Sequence, residues 1–256
     1  MDKSSNLGSG FINSSCDFSN CNRGYRGGDK ETVRAKIKKY LYEKYGEKFV
    51  VDRIGQRKIR DREFYQARIY PKSIKGTNRW LDDYYHATAS LYKDTGGIGD
   101  GYGIVKMNMN AEEYLMPKVI ELFGERVKLK IGVDYRERID DSKFFRRYLK
   151  HNFEERLKKV KEDPENKRMM LDLDVYVFDR IEDDKEKEER RQQIFEFVQY
   201  LKGEGLFKYL ELGVIFIDER VLAPSYNDFE WDIRYADKVK KEIEGETVRM
   251  PPMDLR

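Results

Sequence analysis

Cysteine and histidine are scarce in this 256-residue chain, with two of each, and their positions exclude several kinds of chemistry. Cys16 and Cys21 stand five apart in a polar segment without a neighbouring histidine, so they cannot make a four-ligand zinc site. They are expected as two thiols or, in an exported protein, as a small disulfide loop. His86 and His151 fall on different expected elements, which leaves no HxxxH or HExxH cluster and no triad motif. His86 is therefore read as a polar-face strand residue rather than a general base.

Long apolar runs are also missing. Nothing approaches the roughly 18 residues of a membrane span, and the N-terminal MDKSSNLGSGFINSSC lacks the apolar centre of a secretory signal. The chain as written is expected in the cytoplasm, with the cell envelope as the alternative if an N-terminal anchor precedes it. No GxxxxGK[ST] occurs, and DTGGIGDGYG at 94–103 does not have GxGxxG spacing. A phosphate loop must also lead from a strand into a helix, whereas both flanks here read as strands, so the stretch is expected as a hairpin link. No cofactor is expected.

Charge and aromatic residues are what the chain has in excess. Lys plus Arg number 51 and Asp plus Glu 48, nearly cancelling to +3, which argues against a protein that binds nucleic acid with its whole surface. Residues 1–62 nevertheless carry +7 and the remainder −4. Arg53, Arg57, Lys58, Arg60 and Arg62 are accordingly a candidate contact for an anionic surface, against a plainer reading as a solvated basic turn.

Residues 1–28 have the composition of a flexible leader, and Cys16 and Cys21 belong to it. Val33, Ile37, Tyr40, Leu41 and Tyr45 recur at helical spacing and predict a helix over 31–45, stopped by Gly46. EKFVVDRIG, EFYQARIYPKS and DDYYHATASLYKD predict three strands, and YGIVKMNM a fourth through Val105, Met107 and Met109. A helix is expected from Asn110 to Gly124, with a kink or late start at Pro117, and then a strand in GERVKLKIGVD.

Asp140, Asp141 or Ser142 is expected to cap a long helix carrying Phe145, Tyr148, Leu149, Phe153, Leu157 and Val160. RMMLDLDVYVFDRI, the helix after EDDKEKEERR and YLELGVIFID then predict strand, helix and parallel strand, with a last short helix over 236–243. The fold class is α+β: an antiparallel meander with helices packed on one face, followed by a smaller αβ unit. The expected domains are residues 29–137 and 138–256, with a boundary near 136–141.

Two groups of side chains stand out as candidate sites. Trp80, Tyr84, Tyr85, His86 and Tyr92 form the densest aromatic region and are the candidate contacts for a protein or peptide partner. Asp172 and Asp174 share one strand face, near Asp179 and Glu211, where paired carboxylates could hold a metal or serve a hydrolase, unless they are an ordinary wet sheet face. The first assignment, a non-catalytic binding module, is preferred. Oligomeric state has no signature in the sequence.

The series KIKKYLYEKYGEKFVVDRIG, FYQARIYPKS, HATASLY, GDGYGIVKMN and EEYLMPKVIELFGERVKLKIGV, over residues 31–134, resembles a loose group of uncharacterised proteins of Gram-positive bacteria, many lipoprotein-like or membrane-anchored. The resemblance implies a helix, an antiparallel meander, a helix and a strand, and it brings no catalytic residues. This chain departs from the group in lacking a hydrophobic anchor and in its second half.

Overall fold

The computed structural model of the protein describes residues 27–140, 143–146 and 152–218. The expected leader with its cysteines, the residue His151 and the expected helix at 236–243 lie outside those residues, except that the first helix already begins at Gly27. The described residues form an α+β fold of two four-stranded sheets and four helices.

Helix α1 (Gly27–Tyr45) ends where Gly46 takes φ +74° and donates to the Tyr42 carbonyl at 2.8 Å, a left-handed stop that glycine makes without steric cost. Strands β1 (Phe49–Ile59), β2 (Arg62–Pro71), β3 (Ala87–Tyr92) and β4 (Ile98–Asp100) follow as an antiparallel meander in spatial order. Alternation places Val51, Ala67, Ile69, Ala89 and Leu91 on one face, buried under Val33, Ile37 and Leu41 of α1.

The third strand starts later than expected. Asp82 caps a single 3-10 turn, Asp83–Tyr85, by accepting the Tyr84 N–H at 3.0 Å, so Tyr84, Tyr85 and His86 belong to the connection between β2 and β3. The expected strand at YGIVKMNM is likewise the opening of α2 (Tyr102–Phe123). Its Val105 and Met107 alternate because the helix is buried on two sides, Val105 against the first core and Met107 against the second. The decisive pattern is longer: Val105, Asn108, Glu112, Leu115 and Val119 are buried at spacings of three and four. The helix continues through Pro117, which lies exposed, so the carbonyl of Glu113 that loses an intrahelical donor is on the solvent side.

The second sheet is ordered β6 (Lys143–Arg146), β5 (Val127–Asp140), β7 (Lys167–Phe178), β8 (Leu210–Ile217). β5 runs antiparallel to β6 and β7, and β7 runs parallel to β8 through α4 (Asp184–Gly203), the expected strand-helix-strand crossover. The expected long helix at 140–160 is instead a hairpin followed by the short α3 (Phe153–Glu162), capped where the Asn152 side chain accepts the Glu155 N–H at 2.9 Å. Phe145 pairs opposite Glu137 and Lys143 opposite Asp140, while Asp141, Ser142, Tyr148 and Leu149 lie outside the described residues. Phe153, Leu157 and Val160 are buried as the helical spacing requires.

Helix α2 serves both cores. Tyr102 and Val105 pack under the first sheet, and Met107, Ala111, Leu115, Val119 and Phe123 pack on β5 and β7 beside Phe197 and Leu201 of α4. The division expected near residues 136–141 runs through β5, which pairs with β7 from Val127 to Glu137. The sheets part between β4 and β5.

Candidate functional site

The 3-10 segment between β2 and β3 lies against the edge of β5. Because β6 pairs only with its far end, the Val127–Tyr135 half of β5 presents backbone groups that no strand among the described residues meets on that side. Tyr84 supplies the missing partner at Ile131: its hydroxyl donates to the carbonyl at 3.0 Å and accepts the N–H at 2.9 Å. The buried Asn108 side chain accepts the Val133 N–H at 2.9 Å. Asp82 completes the seam with Lys128 at 2.7 Å and Lys130 at 3.1 Å. Burial pushes the Asp82 carboxyl up, yet the Lys128 ammonium and the Tyr84 N–H hold it below the usual carboxylate range.

Behind the seam lies a buried acid. Glu112 of α2, 3% exposed, accepts the Tyr85 hydroxyl at 3.1 and 3.2 Å through its two oxygens and Arg79 Nη2 at 2.9 Å. The Arg79 guanidinium also lies 5.1 Å from the Tyr85 ring centroid. Burial raises the Glu112 carboxyl above its ordinary value, and Arg79 and Tyr85 only partly offset that. Arg79 in turn borders an open cleft of about 630 Å³ walled by Ser73, Ile74 and Thr77 of the 3-10 segment and by Met109 and Glu113 of α2. The cleft therefore sets two apolar side chains, Ile74 and Met109, beside a cation whose direction the buried Glu112 fixes, with Glu113 also on its lining.

The five aromatic-region residues divide between this corner and elsewhere. Trp80 donates from Nε1 to the Tyr70 hydroxyl at 3.1 Å, and Tyr84 and Tyr85 spend their hydroxyls on β5 and Glu112. His86 Nδ1 lies 3.0 Å from Asp83, its ring packs 4.9 Å from Tyr70, and its Nε2 is buried without a hydrogen-bond partner. Tyr92 sits at the far end of β3, stacked with Arg62 at 4.5 Å. These side chains do not form one strip on a strand, because the chain turns at 83–85. Arg79 and Glu112 were the residues missed. A glutamate falling on the apolar stripe of a helix was the available signal for the second.

DTGGIGDGYG does three jobs. Thr95–Gly97 turn the chain with Gly96 at φ +67°, Ile98–Asp100 form β4, and Tyr102 opens α2, so the stretch does lead from a strand into a helix. The expected strand on its far flank was wrong, but the place of an anion at the helix N-terminus is filled from within. The Asp100 carboxylate, its side chain fully buried, accepts the Tyr102 N–H at 3.0 Å, the Tyr45 and Tyr40 hydroxyls at 2.7 and 2.9 Å, and Lys44 at 2.7 Å. Burial pushes this acid up, but Lys44 and the tyrosines together hold it below the usual range.

Asp172 and Asp174 face outward on β7, opposite Glu211 and Gly213 of β8. A Cβ on Gly213 would stand 2.5 Å from Asp174 Oδ1, so glycine there lets the carboxylate lie across β8. Burial, then the neighbouring Asp172 charge, raises the Asp174 carboxyl. Asp179 is paired with Arg190. Among the described residues, no group of three or more His, Cys, Asp or Glu is placed to hold a metal ion, and no helix is long and apolar enough to cross a membrane. No family model, no curated protein and no solved structure matches the chain.

Proposed function

We propose that the protein is a non-catalytic binding module whose cleft beside Arg79 takes a segment of a protein or peptide partner. The observation that carries this reading is the guanidinium anchored by a buried Glu112 and Tyr85 at the edge of an open, partly apolar cleft. A cation held in one direction loses little freedom when it donates to a partner's acceptor oxygen, and preorganisation of that kind favours binding. Met109 offers a soft, adaptable surface to an apolar side chain next to that oxygen. The partner's chemistry is thus a carbonyl or carboxylate oxygen adjoining an apolar group.

The test is selection of a displayed peptide library on the full chain, followed by titration of the recovered peptides. Arg79→Ala and Met109→Ala should each weaken binding by roughly ten- to thirtyfold, the range of interface anchors. Failure to enrich any peptide, or recovered peptides that bind both variants as tightly as the parent, would reject the cleft as the site.

A further inference from the structure

We infer that the tip of the β1–β2 hairpin is a docking finger for an anionic lipid surface, separate from the cleft. Ile59, the last residue of β1, is 65% exposed, the highest value for a large apolar side chain among the described residues. It stands among Arg57, Lys58, Arg60 and Arg62, which outnumber the two acids of the same stretch, Asp61 and Glu63. The pairings Ile59 with Arg62, Arg57 with Phe64 and Phe64 with Tyr92 put Ile59, Arg57, Arg62 and Tyr92 on one face of the sheet, opposite α1. Arg62 is held over the Tyr92 ring and bonds Asp94 at 3.0 Å, while Lys93 bonds Glu63 at 3.0 Å. Lys58 and Arg60, at the apex, form no salt bridge with a described residue.

The backbone gives an independent reason to look here. Only two non-glycine residues among those described have positive φ, and both are arginines of this hairpin, Arg53 at +48° and Arg60 at +54°. Arg60 opens the two-residue turn that links Ile59 to its paired Arg62, a position glycine fills without steric cost. An arginine kept in a conformation that other residues avoid needs a use for its side chain. Cations attract an anionic bilayer, an exposed isoleucine enters its apolar boundary, and a half-buried tyrosine sits well at headgroup depth. A nucleic acid would satisfy the cations but gives Ile59 nothing to enter, so the lipid surface is the better match.

The full chain should co-sediment with vesicles of phosphatidylcholine containing a substantial share of phosphatidylserine and not with pure phosphatidylcholine, and added salt should release it. The double change Lys58→Glu and Arg60→Glu should weaken binding by at least about tenfold, and Ile59→Ser by roughly tenfold, the loss expected when one buried aliphatic side chain is removed. Arg60→Gly separates function from folding: it should raise the melting temperature while weakening vesicle binding. Absence of sedimentation with phosphatidylserine vesicles, or binding that ignores Ile59→Ser, overturns the inference. So does equally tight binding of a single-stranded oligonucleotide without dependence on Ile59, which would make the tip a general polyanion contact. None of these substitutions touches the cleft, so failure here and failure of the peptide selection are distinguishable.

Discussion

Two buried carboxylates flank the same helix, and the protein treats them in opposite ways. Asp100, at the N-terminus of α2, receives an ammonium, two tyrosine hydroxyls and a backbone N–H, and it is held in its charged form. Glu112, three turns later, receives one arginine and one tyrosine, and its carboxyl lies above its ordinary value. The contrast is in the donors and charges around them, since burial acts in the same direction on both acids while Asp100 gathers four donors and Glu112 also meets the neighbouring Glu113 charge. Asp100 is finished and belongs to the scaffold. Glu112 is unfinished, and its cation looks onto open space.

The comparison can be broken most forcefully at Asp100. Asp100→Ala leaves Lys44, two tyrosines and the Tyr102 N–H at the start of α2 without their acceptor; we expect a loss of about 3 kcal/mol in denaturant unfolding. Glu112→Gln keeps an acceptor for Tyr85 and Arg79 and should cost about 1 kcal/mol. It should also weaken peptide binding at the cleft, because Arg79 loses its charged anchor. Equal costs for the two substitutions would show that donor number does not separate the sites.

Their pH dependences should run in opposite senses. Asp100 has a lowered folded value, so its contribution is present above the unfolded value of about 3.9 and fades as pH falls through the folded one. Glu112 has a raised folded value, so its contribution is complete below about 4.3 and fades as pH rises through the folded one. Urea titrations across the acid range should therefore show Asp100→Asn flattening the rise of stability with pH, and Glu112→Gln steepening it. The smallest effects come from single hydroxyls. Tyr45→Phe should leave Asp100 with three donors and cost under about 1 kcal/mol, whereas Tyr85→Phe should raise the Glu112 carboxyl further, readable as a shift in its carbon-13 carboxyl titration.

The sequence was most legible where one period ran long enough to exclude the other. Val127, Leu129, Ile131 and Val133 could only be a strand, and Leu171 to Val177 likewise, so β5 and β7 were expected close to where they lie. The start of α2 was misread because this helix is buried on two sides, Val105 under the first sheet and Met107 on the second, and two buried sides of a helix imitate the alternation of a strand. At Tyr84 the misreading was of a different kind. Aromatic residues bounded by a strand looked like strand, and what overrode them was Asp82 capping a turn whose purpose is set by β5, more than forty residues away. For the same reason the cleft was hidden: Arg79 and Glu112 meet across 33 positions, a distance at which spacing in the chain carries no information.

Tyr84 and Asn108 close the β5 edge with two side chains instead of a strand, and this ties the fates of the two sheets. Without the first sheet's connection and α2 in place, the amides of Ile131 and Val133 have only water to bond. The second sheet is therefore incomplete as an independent unit, and unfolding of either should propagate to the other as one cooperative transition. Amide exchange at Ile131 and Val133, which these hydrogen bonds should slow, would then report on the integrity of a meander that neither residue belongs to.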